Sequence, residues 1–185
     1  MTGFRDLLAR DRALPLLTPR RPDDAVAAAA ALAAAGLGTL EVALRSEAAL
    51  EALAAAASGP VLVGAGTVRR VDQVDEVVAA GARFVVTPGF HAQVVERCLE
   101  LEVPVLPGIA SPGEAMAAME LGLDAVKLFP AAQLGGPAVV RALAGPFPDL
   151  RVVPSGGVTR DDAADYLALP TVLAVSGSWI LEDLT

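Results

Sequence analysis

One lysine, one cysteine and one histidine are all that this sequence of 185 residues holds of those three types. Cys98 alone excludes an intrachain disulfide, and with His91 as the sole histidine there is no His/Cys cluster of the kind that binds zinc. Basic residues never cluster beyond the pairs Arg20-Arg21 and Arg69-Arg70, and the formal net charge is −8. Nucleic acid and anionic membrane surfaces are therefore poor candidates for the main partner, and an anionic ligand has to be met by a local positive site. No apolar run reaches membrane-spanning length, and Met1-Thr-Gly-Phe-Arg-Asp6 lacks the basic-then-apolar order of a signal peptide. These absences point to a cytoplasmic protein with no membrane partner.

What is present is a repeating unit. With 54% hydrophobic residues, the chain can bury one sizeable core, as a single domain over residues 1–185. Residues 2–11 predict a short amphipathic lead-in helix. Pro22, Asp23 and Asp24 then open a helix that Gly36 closes. Short apolar strands are expected at 13–17, 39–43, 61–63, 83–86, 105–106, 125–128, 151–153 and 172–175. Helices are expected at 48–57, 71–80, 92–101, 113–121, 137–144 and 160–167. Strand runs without clean alternation imply a parallel sheet covered on both faces.

Landmarks at Glu41, Thr67, Pro88, Gly108, Lys127, Ser155 and Gly177 are spaced by 26, 21, 20, 19, 28 and 22 residues. That pitch predicts an α/β fold of the (β/α)8 TIM-barrel type. A doubly wound open sheet is the competing arrangement, but Gly64-Ala-Gly66 is not followed by the third glycine of its fingerprint. Glu182-Asp-Leu-Thr185 leaves no room for an eighth barrel helix, so the last strand is expected to lie partly uncovered.

Lys127 sits in the apolar strand Asp124-Ala-Val-Lys-Leu-Phe-Pro130. Arginine supplies every other cation and is a poor nucleophile, whereas a desolvated lysine can attack a carbonyl. The alternative is a lysine that snorkels from a strand end or forms half of a buried ion pair. Glu41, at the end of another apolar strand, is a candidate base, and Arg45 four residues on is either a ligand group or its ion-pair partner. The glycine-rich Pro154-Ser-Gly-Gly-Val-Thr159 and Val175-Ser-Gly-Ser-Trp179, after the last two strands, suit phosphate held by backbone N–H groups. Gly64-Ala-Gly-Thr67 reads as a small-residue loop that lets backbone approach a ligand and offers a hydroxyl, while Thr87-Pro-Gly-Phe90 and Leu106-Pro-Gly-Ile109 read singly as turns. Cys98 is expected in the core, Tyr166 packed on a neighbouring helix, and His91, Asp161 and Asp162 at helix starts.

Taken together, Glu41-Val-Ala-Leu-Arg45, Gly64-Ala-Gly-Thr67, Thr87-Pro-Gly89, Pro107-Gly-Ile109, Lys127-Leu-Phe-Pro130, Ser155-Gly-Gly157 and Gly177-Ser-Trp179 resemble the 2-keto-3-deoxy-6-phosphogluconate (KDPG) / 4-hydroxy-2-oxoglutarate aldolase family. The resemblance spans nearly the whole chain. It implies a metal-free class I aldolase, with no cofactor, acting on a phosphorylated 2-keto acid and assembled as a homotrimer. It implies Lys127 as Schiff-base lysine and Glu41 as proton carrier. Arg45 and Thr67 would bind the pyruvyl end, and Pro88 and Phe129 would shape the pocket. Phosphate would fall to Ser155, Gly156, Gly157, Ser176, Gly177 and Ser178.

The chain departs from the family pattern at Ser176, where glycine is usual, at Ser155 for threonine, and at Ala132 for glutamate. Arg45 favours the gluconate or bifunctional type, because the galactonate branch resembles asparagine there. Competing readings are a phosphate-binding barrel isomerase or synthase using Glu41 as base, and a non-catalytic or redesigned scaffold.

Overall fold

The computed structural model of the chain describes residues 3–184. Helices and parallel strands alternate: α1 (Phe4–Asp11), β1 (Ala13–Leu17), α2 (Asp23–Ala34), β2 (Thr39–Ala43), α3 (Ala49–Ala56), β3 (Leu62–Gly66), α4 (Val71–Ala79), β4 (Val85–Val86), α5 (Ala92–Glu100), β5 (Val105–Leu106), β6 (Gly108–Ile109), α6 (Pro112–Glu120), β7 (Ala125–Leu128), α7 (Pro137–Ala144), β8 (Arg151–Pro154), α8 (Arg160–Leu167), β9 (Val175–Gly177) and α9 (Trp179–Glu182). The lead-in helix starts at Phe4; the part of that expectation at Thr2 lies outside the described residues.

Every strand pairing is parallel, in one sheet of order β5-β4-β3-β2-β1-β9 and a second of order β6-β7-β8. Where one strand was expected at residues 105–106, two short segments flank Pro107, which has no N–H for the ladder. β5 pairs with β4 and β6 with β7, so Pro107 divides the sheet while its carbonyl still accepts from the Lys127 N–H at 2.8 Å. Isolated bridges Val152–Val172 and Ser155–Ser176 join β8 to the segment around β9.

Three further differences from the expected boundaries have local causes. β3 extends through Gly64 and Gly66, expected as loop, because it pairs with β2 from Thr39–Leu62 to Ala43–Gly66. The last strand begins at Val175, since residues 172–174 make only the single bridge to β8. A one-turn α9 does follow β9: Ile180 is buried, and Leu181 and Leu184 pack on the core around β1–β3.

Two apolar clusters lie between strands and helices, one on the β1–β4 side and one around β7 and β8. A third brings Phe4 and Leu8 of α1 together with Leu14, Phe84, Val86, Leu106, Val153, Leu173 and Ala174. These side chains come from strands that are not neighbours in the ladder, so the sheets curl around them. The Phe4 ring stacks on Phe84 with centroids 4.0 Å apart, and α1 closes that end of the interior.

Arg12 pins the junction between β1 and β9. Its backbone is left-handed (φ 58°), and its guanidinium donates to the carbonyls of Val172 (2.6 Å), Leu173 (3.1 Å) and Leu167 (2.8 Å). A lysine amine cannot reproduce that fork. Arg12→Ala is expected to cost about 2 kcal/mol, and Arg12→Lys nearly as much, because charged hydrogen bonds to carbonyls that have few other donors are lost. For a chain of this size that is a fall in Tm of about 4–8 °C. Thermal unfolding followed by circular dichroism measures it, and an unchanged Tm in Arg12→Ala would show that the clamp contributes nothing.

Candidate active site

Lys127 and Glu41 face one another inside the curled sheets. Register puts Lys127 beside Gly108 on one side and Val153 on the other, and Glu41 between Leu16 and Gly64. Lys127 Nζ donates to Glu41 Oε1 at 3.3 Å, with side-chain exposures of 3% and 0%. Glu41 Oε2 is buried with no hydrogen-bond partner among the described residues. The carboxylate fits because residue 66 is glycine: a Cβ there would stand 2.2 Å from Oε1. An orphaned carboxylate oxygen in the interior is costly, and is the arrangement expected where a substrate proton completes the set.

Next to this pair is a cleft of about 330 Å³, lined by Leu16, Arg45, Phe129, residues 155–159 and residues 176–179. Lys127 and Glu41 are not among its lining residues, but Leu16, in register with Glu41, is. Phe129 belongs to both, lining the cleft while its ring centroid stands 5.7 Å from Nζ.

The loops that form the cleft are tied together in pairs. Ala131 and Ala132 N–H groups donate to the carbonyls of Ser155 (2.8 Å) and Gly156 (3.1 Å), fastening the loop after β7 to the loop after β8. Gly156 and Gly157 have φ of 84° and 75°, which a side chain would disfavour. A Cβ at Gly156 would meet the Phe129 ring at 2.8 Å, and one at Gly157 would meet Ala132 Cβ at 2.6 Å. Ser178 is exposed at the rim, whereas Ser155 and Ser176 are buried in the wall.

Arg45 is exposed at the mouth and does not pair with Glu41: its Nε donates to Thr67 Oγ1 at 3.0 Å. The ion-pair alternative for Glu41 and Arg45 is thus replaced by two separate contacts, Glu41 to Lys127 and Arg45 to Thr67. Thr67 takes φ 61°, a left-handed conformation that costs a β-branched residue about 1–2 kcal/mol. Strain of that kind concentrates at functional sites. Pro88 does not line the cleft; its carbonyl group packs against Gly108, the residue in register with Lys127.

Thr87 has a part that the sequence reading missed. Its buried hydroxyl donates to the Gly89 carbonyl at 2.7 Å and accepts the Gly108 N–H at 3.0 Å, fixing the Pro88 loop against β6. A threonine closing an apolar strand was the available signal. Trp179 was likewise quoted without a role, yet it lines the cleft with its indole N–H buried and unpartnered among the described residues.

The residues expected outside the site are outside it. Cys98 is fully buried, and burial pushes its thiol up to about 12. Tyr166 is buried, its hydroxyl raised by that burial and by the nearby Asp162. His91 stands at the N-cap position of α5 without a side-chain cap bond, and Asp162 accepts the Thr159 N–H at the start of α8. No helix among the described residues is long and apolar enough to cross a membrane.

Residues 5–184 match the family model for KDPG and KHG aldolase. A 2-dehydro-3-deoxy-phosphogluconate aldolase of Treponema pallidum is 47% identical over 183 residues, 98% of this chain and 87% of that protein. Its counterpart in Pseudomonas aeruginosa is 46% identical over 183 residues, 97% of this chain and 83% of that protein. The KDPG aldolase of Legionella pneumophila, whose crystal structure holds pyruvate as a covalent carbinolamine intermediate, superposes with a TM-score of 0.92. It shares 37% identity, with 97% of this chain and 89% of that one covered. By sequence over almost its full length and by fold, this chain belongs to the KDPG and KHG aldolase family.

Proposed function

We propose that the chain is a class I aldolase that cleaves 2-keto-3-deoxy-6-phosphogluconate to pyruvate and glyceraldehyde 3-phosphate, and also accepts 4-hydroxy-2-oxoglutarate. The observation that carries this reading is the lone lysine buried in an apolar strand with its amine 3.3 Å from a buried carboxylate. Family membership and the carbinolamine on the Legionella relative support it and disfavour both the isomerase or synthase reading and the inert scaffold.

The steps follow from the side chains. Nζ gives up a proton to Glu41, the acceptor in contact, and attacks the C2 carbonyl; Glu41 returns that proton to the departing oxygen, so that loss of water leaves a protonated imine beside an ionised carboxylate. The C4 hydroxyl then gives its proton to the Glu41 carboxylate. The C3–C4 bond breaks, its electron pair moves into the C2–C3 double bond of an enamine, and the aldehyde departs. Glu41 returns a proton to C3, and water hydrolyses the imine to release pyruvate. Arg45, held by Thr67, reaches the substrate carboxylate, with its forked donors suited to that anion. Phe129 covers the amine, and Pro88 holds the floor through Gly108.

Phosphate is assigned to the loops Ser155–Gly157 and Ser176–Ser178. Neither contains a cation, so backbone N–H groups at Gly156, Gly157, Gly177 and Ser178 have to supply the binding. A closed (β/α)8 barrel fits this reading: β5 and β6 count as one strand broken at Pro107, and the Ser155–Ser176 and Val152–Val172 bridges link the two sheets. The homotrimer that the resemblance implies is part of the proposal, as is a cytoplasmic location.

Borohydride reduction in the presence of pyruvate tests the central step. Mass spectrometry is expected to find one reduced pyruvyl adduct per chain, on Lys127. A chain that turns over KDPG without any such adduct would require a different reaction class.

A further inference from the structure

The hydroxyl of Ser176 is buried in the wall of the cleft and has no hydrogen-bond partner among the described residues. A hydroxyl left unpaired in the interior is unfavourable unless something completes it. Its place is defined by register: Ser176 pairs with Leu14 of β1 and bridges to Ser155 beyond β8. Adjacent strands bring the two serine backbones about 4.8 Å apart. Both side chains lie in the wall between Phe129, which covers the amine, and the open rim at Ser178.

We infer that Ser176 is a specificity-determining residue that hydrogen-bonds the C5 hydroxyl of the substrate, an inference that rests on the aldolase reading. The carboxylate end of a bound 2-keto acid is held at Arg45 and the carbonyl at Lys127, and the phosphate lies at the glycine loops. The carbons between carry hydroxyls at C4 and C5. The C4 hydroxyl is committed to Glu41, because it must lose its proton there. The C5 hydroxyl is left to meet the wall on the way to the phosphate, where the unpaired Ser176 Oγ waits. The phosphate itself is a poor match for this atom. A hydrated dianion belongs at the rim, where several N–H groups converge, whereas Ser176 is on the strand below it and wholly inaccessible to solvent. A site that hydrogen-bonds a substrate hydroxyl discriminates against the analogue lacking it, because its own polar group then stays unpaired.

The test runs the reaction in the direction of synthesis. Pyruvate is joined either to D-glyceraldehyde 3-phosphate, whose 2-hydroxyl becomes the C5 hydroxyl, or to 3-oxopropyl phosphate. The two aldehydes share carbon chain and phosphate and differ in that hydroxyl alone. The ratio of kcat/KM between them is compared in the wild-type protein and in Ser176→Ala. The ratio is expected to fall by roughly fivefold to tenfold, the range of one neutral hydrogen bond. A ratio unchanged by the substitution, whether both activities drop together or neither does, overturns the inference: the hydroxyl would then serve phosphate binding, the fold, or nothing. If the wild-type protein joins pyruvate to neither aldehyde and forms no reducible adduct, the aldolase reading falls and takes this inference with it.

Discussion

Lys127→Met is expected to abolish the borohydride-trapped pyruvate adduct and to lower KDPG cleavage by on the order of 10⁴-fold or more, the scale seen when a covalent nucleophile is removed. Lys127→Arg should fail equally, since guanidinium stays protonated and cannot form the imine. An adduct that persists in purified Lys127→Met would move the nucleophile elsewhere in the chain, where no second lysine exists. The methionine also has a structural consequence. The Lys127 amine is the one hydrogen-bond partner that Glu41 has among the described residues, and the carboxylate is wholly buried. Removing one member of a buried pair leaves the other charge uncompensated, at a cost of about 3 kcal/mol. In a chain of this length that lowers Tm by about 6–12 °C. Adding Glu41→Gln to Lys127→Met removes the stranded charge, so the double variant should melt well above the single one while staying inactive. A double variant no more stable than Lys127→Met would mean that the buried pair is not what the single variant loses.

The parts of this arrangement that were legible in the sequence share a physical basis. Helix positions could be read within a residue or two because proline, acidic residues and glycine punctuate them, as at Pro22 and Gly36 around α2. Lys127 stood out because a lone amine in an apolar strand contradicts its surroundings, and Glu41 for the same reason. The contact between them spans 86 residues and depends on how the sheets curl, which no local pattern encodes. Arg45 and Thr67 are a similar case: their loops meet because Ala43 and Gly66 are in register at the ends of β2 and β3.

Gly64 and Gly66 suggested a loop since glycine is a weak strand former. Their use here is to make room, for the Phe84 ring at Gly64 and for the Glu41 carboxylate at Gly66. The break at Pro107 was legible, since a strand ending at Leu106 and a turn over Leu106-Pro-Gly-Ile109 were expected, but the two-residue β6 beyond it was not, because so short a segment carries no period. The one-turn α9 escaped notice because four residues carry too little periodicity to register.

Glu41→Gln is expected to separate the two halves of the chemistry. The amide side chain is nearly isosteric with the carboxylate, so it fits the space left by Gly66 and keeps an oxygen toward Lys127. Imine formation should survive in reduced amount, and the borohydride adduct should still be detected on Lys127. An amide cannot take the C4 hydroxyl proton or deliver one to C3, so turnover should fall by about 10²–10⁴-fold. The same loss should appear without any cleavage substrate, in the exchange of pyruvate methyl protons with deuterium from solvent. That exchange requires the imine to lose and regain a proton at C3, and proton NMR follows it directly. The unpartnered Oε2 is the atom that makes this assignment specific: it is buried, free of protein donors among the described residues, and on the carboxylate already touching the amine. Loss of both the adduct and the exchange would place Glu41 in imine formation, the step on which the exchange depends. Exchange at the wild-type rate in Glu41→Gln would remove it from the proton-transfer role, and the C3 proton would have to come from another group lining the cleft or from water.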